Sequence, residues 1–506
     1  MLSGYDGLQP FYGDLHSHCS ISYGHGPLED AYRNARAQLD FVSVTAHAHW
    51  PDLPEADERL APVNAYHKEG FRRALEQWPH YRDVTNSVNQ EGEFVSLLSF
   101  EWHSMQSGDH NIYYRGNEGE IIPAKDLAEM RAELRRLWAS GQSSLLIPHH
   151  IGYRQGYRGI NWAEFTGELS PVVEIFSMHG ASDSVDAPYP YLHTMGPRDG
   201  RSTMQHGLAL GNLFGVIGST DHHSAHPGSY GHGRLGLWGR ELSREGIWDA
   251  IASRRTWALT GDNIELGFSI NNQPMGSVLP ATSDRAIEVS VIGGSAIDYI
   301  DVLHNNRVIH KLSPIQEPWL DGQLNVKVLL ELGWGELDED VDWKVDLQVS
   351  AGALKSIEPR FRGRDIVSPQ DLLTGDFAYS SWKEPDHNRV TFATRTWKNP
   401  TIVSPATQGI CLEIEGDGRT EILGTINDLP VAYSLNELLT GSRTGYLGGF
   451  LTPAYCFHRA IPEAEYAAHT SFVHRGRDAG RDWYYVRVRQ LNDQWAWSSP
   501  IWVGNP

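Results

Sequence analysis

Through about residue 260, short and nearly unbroken apolar runs alternate with amphipathic stretches. The runs are FYGDLHSH (11–18), DFVSVTAH (40–47), EFVSLLSFEWH (93–103), SSLLIPHH (143–150), PVVEIFSMH (171–179) and LFGVIGSTDHH (213–223). Apolar runs of this length suit strands of a parallel sheet that is covered on both faces. Between them the period lengthens. Leu28, Ala31, Tyr32, Ala35 and Leu39 fall on one helical face behind Pro27, and proline's fixed φ suits the first turn of a helix. Further helices are predicted over 125–139 and 243–255. Strands alternating with helices predict an α/β fold, either a βα barrel or an open sheet.

Beyond Thr260-Gly261-Asp262 the pattern becomes strand and turn. AIEVSVIGG (286–294), YIDVLHNNRVIHKL (299–312), NVKVLLEL (325–332), DWKVDLQVS (342–350) and DWYYVRVRQLNDQWAWSSPIWV (482–503) are strand-like and separated by polar residues. His304-Asn305-Asn306-Arg307 reads as a hairpin turn. The chain therefore divides into 1–262 and 263–506, the second part an all-β sandwich with a nested insertion at about 365–470. Its Trp and Tyr residues read as core, with any exposed ones available to stack on sugars.

Length and charge narrow the partners. A chain of 506 residues makes roughly three domains, or two large ones. Its 42 basic and 63 acidic residues give a net charge of −21, and no run of Lys or Arg interrupts it, which excludes nucleic acid and anionic membranes as partners. The opening MLSGYDGLQPFYGDLH has no charged or apolar leader, and no stretch approaches the ~20 apolar residues of a membrane span. The three cysteines, Cys19, Cys411 and Cys456, build no disulfide framework. These features predict a cytoplasmic protein. Its oligomeric state is left open.

Histidine changes the picture. Eighteen of the 24 lie at or before His232, and each of the six apolar runs ends in His or in acid plus His. The ends carry His16 and His18; His47; Glu101 and His103; His149 and His150; His179; and Asp221 and His223. In parallel βα folds the carboxyl ends of the strands open onto one face, where ligands bind. His-x-His places two imidazoles on the same side of a strand. Six such ends predict a multinuclear metal site, with imidazoles and a few carboxylates suited to Zn²⁺, Mn²⁺ or Fe²⁺. Asp14 either orients His16 or caps the turn. His110 either protonates a leaving group or is a polar loop residue. Arg154, Arg158 and Arg234 flank the ligand motifs and are candidates to clamp an anionic group, or are surface arginines. Cys19 beside His18 is a weak alternative nucleophile.

GDLHSHCSIS, VTAH, FEWH, IPHH, EIFSMHG and GSTDHHSAHPG resemble the ordered motifs of the PHP (polymerase and histidinol phosphatase) superfamily over about residues 10–262. RRTWALTGD (254–262) and the closing AWSSPIWV resemble a branch with a C-terminal β domain. The resemblance implies a distorted seven-stranded, TIM-like (β/α)7 barrel holding two or three divalent metals. It implies that His16, His18, Glu101 and Asp221 hold one metal, and that Glu101 bridges to a second completed by His149 (or His150) and His179. His25, His47 and His223 would hold a third. His149 is favoured over His150 because it directly follows Leu-Ile-Pro. The family reads Thr-Asp-His where this chain has Thr45-Ala46-His47.

The expected activity is hydrolysis of a small, anionic phosphoester by a metal-activated water, with His110, Arg154 and Arg234 assisting. Two alternatives differ in class. One is a metal-dependent hydrolase or lyase of a carbohydrate or amide, favoured by the β domain and by a Tyr-, Pro- and Gly-rich loop at 181–212 expected to overhang the site. The other is a metal-binding protein without turnover, favoured by Ala46.

Overall fold

The computed structural model describes residues 2–189, 191, 198–314, 322–334, 340–364, 374–397, 406–477 and 480–504. Parts of the 181–212 loop and of the expected 365–470 insertion thus lie outside the described residues. The fold is mixed α/β and rich in strands.

The early apolar runs form the strands Gln9–Asp14, Phe41–Val42, Ala46–His49, Val95–Ser96, Leu98–Trp102, Ser144–Pro148, Val172–Ser177 and Gly215–Gly218. The predicted helices appear as Leu28–Arg36, Leu127–Ala139 and Arg244–Ala252. A 28-residue helix, Ala61–Val88, was not anticipated; Pro62 and Pro79 punctuate it, the latter inside the helix. Its buried face, Phe71, Ala74, Trp78 and Tyr81, keeps helical spacing. Tyr32 and Ala35 from the first helix join Trp78 and Tyr81 over Val42, Phe100 and Tyr114 in one apolar core.

The segments 41–49 and 95–102 run parallel across a break. Their first halves close the edge of a large sheet next to Gln9–Asp14, and their second halves begin a four-stranded sheet. That small sheet continues through His110–Tyr114 to Ser144–Pro148, both pairings antiparallel. The seven residues after Trp102 are too few for a crossover helix, so the chain turns back on itself. Val172–Ser177 and Gly215–Gly218 form a third, parallel ladder. Among the described residues the ladders of the expected distorted (β/α)7 barrel belong to separate sheets, and none closes on itself.

The large sheet has eleven strands and joins the two ends of the chain. From Val95–Ser96 it passes through Gln9–Asp14, Arg234–Gly239 and Thr256–Leu259 directly to Trp495–Ser498 and Asp482–Gln490. Ile297–His304 and Arg307–Leu312 hang from it as a hairpin. The expected Asn305-Asn306 turn is present, with φ of 49° and 66°, the left-handed pair that matches strand twist. A four-stranded antiparallel sheet containing Glu265–Ile270, Asp284–Ile292 and Ala467–Arg475 shares a core with this region. Phe268, Val289 and Ile300 meet Val486 and Val488 there. Between these strands in the chain lies a separate nine-stranded sheet, from Leu324–Trp334 to Ile461–Pro462, with its own apolar core of Val328, Trp343, Leu347 and Ile414.

The nine-stranded sheet reaches the N-terminal part at named points. Trp382 donates its indole N–H to Ala37 O at 2.6 Å. Buried Arg360 lies 3.2 Å from buried Asp262, whose carboxylate also accepts from Tyr230, Gln490 and Asn492.

Candidate metal centre

His16 and His18 leave the strand Gln9–Asp14, and the main chain there is laced to the loop after Gly215–Gly218. Asp221 N–H donates to His16 O at 2.7 Å, His18 N–H to His222 O at 2.8 Å, and Ala225 N–H to His18 O at 3.1 Å. Asp14 reinforces this lacing. Its carboxylate accepts from the main-chain N–H groups of His16, Thr220 and Gly228 and from the Thr220 hydroxyl. Asp14 therefore holds backbone, not the His16 ring. Asp221 sits at φ 53°, in the left-handed region that a short polar side chain tolerates. The register pairs His47 with Glu101 across the parallel strands.

Glu101 stands at the centre. Its Oε2 lies 2.8 Å from His47 Nδ1, 3.4 Å from His18 Nε2 and 3.7 Å from His16 Nε2. Its Oε1 lies 2.9 Å from His149 Nε2 and 3.2 Å from His103 Nδ1. Asp221 Oδ1 lies 3.0 Å from His18 Nε2 and 3.4 Å from His16 Nε2, and its Oδ2 is 2.9 Å from His179 Nε2. His223 approaches the Asp221 carbonyl at 2.7 Å, and its ring centroid is 4.4 Å from that of His18. The structure thus brings together His16, His18, His47, Glu101, His149, His179, Asp221 and His223. His25 is buried, and its main-chain N–H donates to His223 O.

These residues fit divalent cations. His16 Nδ1 faces Glu174 at 3.0 Å and His18 Nδ1 faces Thr45 O at 2.8 Å. With the proton on Nδ1 of each ring, both Nε2 atoms, 3.1 Å apart, would turn lone pairs to the cluster as metal ligation requires. Two lone pairs at that distance repel unless a cation lies between them. Glu101 Oε2 and His47 Nε2 have no hydrogen-bond partner among the described residues although both are buried. Ligand atoms of His16, His18 and Glu101, of His18, His47 and His223, of His47, Glu101 and His103, and of Glu101, Asp109, His149 and His150 each gather within 4.8 Å.

The local field favours ionised carboxylates, and although burial opposes charge on His16, Asp221 and Glu174 hold its imidazole well above the usual range. Burial opposes charge on Glu101 and Asp221, but the imidazoles around them hold both carboxyls well below the usual range. Burial, reinforced by His16 and His150, pushes His149 down to about 3. Glu174 goes the other way: burial lifts it to about 7 against the pull of His16.

Two contributors, Glu174 and Asp109, escaped the sequence reading as site residues. Glu174 is the carboxylate partner of His16, and its signal was a lone acid inside the fully buried strand Val172–Ser177. His103 and Asp109 form a 3.0 Å pair beside Glu101. Asp109 also accepts from Arg158 Nε at 2.6 Å, and Arg158 lies over the Trp50 ring at 4.9 Å. Nothing in the spacing marked Asp109. His150 is 3.4 Å from Asp109 while its neighbour His149 meets Glu101, so the two adjacent histidines serve different carboxylates.

Other candidates are not brought to the cluster. The antiparallel register sets His110 opposite Trp102 and Asn111 opposite Glu101. His110 thus shares the far face of the sheet, with Nδ1 on Gly108 O at 2.9 Å. Arg154 is exposed and lies over the Tyr157 ring. Arg234 is wholly buried and donates to Gly228 O, Gln38 and Asn263, a bracket inside the fold. Burial pushes the Cys19 thiol up to about 12, so it stays protonated and inert. Ala46 belongs to the same apolar core as Trp78, Tyr81 and Phe100. A carboxylate at that position would lie in that core.

A buried cluster of imidazoles and carboxylates at strand ends has the donor set to hold divalent metal ions. No family model matches the chain. It is similar to uncharacterised proteins of Chlamydia pneumoniae (23% identity over 266 residues, 47% of this chain and 41% of the relative) and Chlamydia trachomatis serovar D (24% over 243 residues, 45% and 39%). An uncharacterised protein of Chlamydia muridarum is 24% identical over 248 residues, covering 46% and 40%. The matches span about two fifths of each relative's length. Among solved structures, a two-domain protein of Bacteroides vulgatus containing a predicted PHP-like metal-dependent phosphoesterase aligns with 86% of this chain and 97% of its own, at 11% identity and a TM-score of 0.33. No helix among the described residues is long and apolar enough to cross a membrane.

Proposed function

We infer that the chain is a metal-dependent hydrolase of small phosphate esters, built on an opened PHP-type barrel. The observation that carries this reading is the convergence of His16, His18, His47, Glu101, His149, His179, Asp221 and His223 around two ionised carboxylates. His16, His18, Asp221 and Glu101 would hold one divalent cation; Glu101, His149 and His179 a second; and His47 and His223, with His25 from the family motif, a third. Such ions acidify water and take up charge on ester oxygens.

The chain's own residues prepare that chemistry. Glu174 and the Thr45 carbonyl fix the tautomers of His16 and His18. Asp14 fixes the loop that carries Asp221. Asp109 orients His103, and Arg158 neutralises Asp109. Of the three arginines expected as anion clamps, Arg158 is the one beside the cluster. His110 faces away, so the leaving group takes its proton from another source.

The test is elemental analysis of untagged, chelator-free protein, followed by a phosphoester panel with the metal found. Two or three equivalents of Mn, Fe or Zn, with turnover lost in Glu101→Gln, are expected. Less than half an equivalent that incubation does not restore would overturn the metal centre. Full metal with turnover of uronic-acid oligosaccharides or amides, and of no phosphoester, would overturn the substrate class.

A further inference from the structure

His179 enters the metal centre just beyond the strand Val172–Ser177, and its Nε2 lies 2.9 Å from Asp221 Oδ2. On the other side of the ring, Nδ1 lies 2.6 Å from the hydroxyl of Tyr153. Tyr153 is wholly buried. It follows His150 by three residues, and its main-chain N–H donates to the His150 carbonyl at 3.4 Å. Its ring packs edge-on against the rings of His150 and His179, with centroids 5.3 Å and 5.7 Å away, and Tyr191 covers it at 4.5 Å. Packing on these sides fixes where the phenol oxygen stands.

The chemistry of this partner differs from that of the partner of His18. His18 Nδ1 faces the Thr45 carbonyl at 2.8 Å, and a carbonyl only accepts, so that nitrogen carries a hydrogen in every state. A phenol hydroxyl gives a hydrogen bond or takes one, turning about its C–O bond. Asp221 is held ionised by the imidazoles around it, so it accepts from His179 Nε2. A neutral His179 ring then turns the Nδ1 lone pair to Tyr153, which donates to it. With a cation on Nε2 the ring proton belongs on Nδ1, and the same phenol oxygen accepts. The bond at Nδ1 survives in both states, the ring keeps one proton, and it need not turn.

We propose that Tyr153 is a positioning residue for the second cation, a two-way partner that lets His179 Nε2 exchange its hydrogen bond to Asp221 for a metal ion. The proposal rests on the metal centre and not on the phosphoester substrate. A cation on Nε2 draws electron density from the ring and makes Nδ1–H the stronger donor. The bond to Tyr153 therefore counts for more in the loaded state than in the empty one. Removing the phenol oxygen weakens the hold on that cation and leaves the cations of the other histidines in place.

The test is a Zn²⁺ titration of the metal-free full chain in competition with a chromophoric chelator, which counts the equivalents and ranks their affinities. Tyr153→Phe keeps the ring and removes the oxygen. One equivalent is expected to weaken by about 10–100-fold, while the others, and the melting temperature of the metal-free protein, match the parent. His179→Gln should weaken the same equivalent, and adding Tyr153→Phe to it should change nothing further. A second measurement needs no change at Tyr153. In parent protein carrying ¹⁵N-labelled histidine, Zn²⁺ should move the His179 ring proton from Nε2 to Nδ1, the signal being identified by its loss in His179→Gln. Zinc loading of Tyr153→Phe equal to that of the parent overturns the proposal and leaves the metal centre standing. A weakening spread over every equivalent, or one that persists beside His179→Gln, also overturns it, by making Tyr153 a packing residue. So does a His179 ring that carries a proton on Nδ1 before Zn²⁺ is added. A parent that takes up no saturable Zn²⁺ overturns the metal centre and the proposal together.

Discussion

Arg154 lies exposed over Tyr157, whereas Arg158, four residues on, reaches inward to buried Asp109 and to His103. Removing Arg158 strands a buried carboxylate beside the metal ligands. Arg158→Met is expected to destabilise the chain by about 3 kcal/mol and to lower metal content, while Arg154→Met stays within about 0.5 kcal/mol. Urea denaturation and elemental analysis of both variants check the contrast; equal behaviour would place Arg158 outside the centre. His110 gives a second expectation. Burial, reinforced by Arg131, pushes it from 6.5 to about 3. Below pH 6.5 the unfolded chain takes up a proton that the folded one refuses, so this contribution to stability is complete above pH 6.5 and drains away as pH falls towards 3. At pH 5 the loss is about 2 kcal/mol. A His110→Gln chain should therefore lose less stability than the parent between pH 7.5 and pH 5; an identical loss would mean His110 titrates normally. At this scale the clustering of histidines was legible, because so many at strand ends that share one face of the fold are brought together there. Glu174 and Asp109 were not legible, because whether one acid meets an imidazole or solvent depends on contacts between distant strands.

Between strands, one position of register separates a ligand from a bystander. Glu101 and Trp102 are neighbours in sequence and face opposite ways, and the antiparallel partner strand inherits that division, sending Asn111 to the centre's face and His110 to the other. The sequence placed His110 after the Glu101 strand, and its facing could be known only from the pairing. The same dependence explains the barrel: short apolar runs announce strands, but the reversal at 103–109 and the breaks within 41–49 and 95–102 are properties of pairing. Gly233 tests how the loop bearing Asp221 is held. It has φ 127°, and a Cβ there would lie 2.1 Å from the Ser219 carbonyl oxygen. Gly233→Ala should push the strand Arg234–Gly239 from that loop, costing about 2–4 kcal/mol and reducing metal content. Thermal melts and metal analysis equal to those of the parent would show that the loop accommodates the methyl.

The molecule as a whole depends on a sheet whose strands come from both ends of the chain. The change of pattern at about 262 is visible in the sequence, yet Thr256–Leu259 just before it pairs with Trp495–Ser498, and Trp257 shares a core with Val486 and Ala496. A chain limited to 1–262 exposes that edge and that core, and bare edges of apolar strands associate. It is expected to aggregate and bind no metal on its own, and to recover both solubility and metal when co-produced with 263–506. Size-exclusion chromatography decides; a monomeric, metal-loaded 1–262 would sink the expectation. The pairing also bears on the order of events during synthesis. Every ligand of the centre has been translated by residue 223, but the strand that covers Thr256–Leu259 is among the last made. At about 5–20 residues per second the ligands wait on the order of tens of seconds before their sheet is complete. Throughout that interval the nascent histidines are open to surrounding cations, so the choice among metals for the proposed centre would rest on supply during synthesis as well as on the geometry the chain closes into.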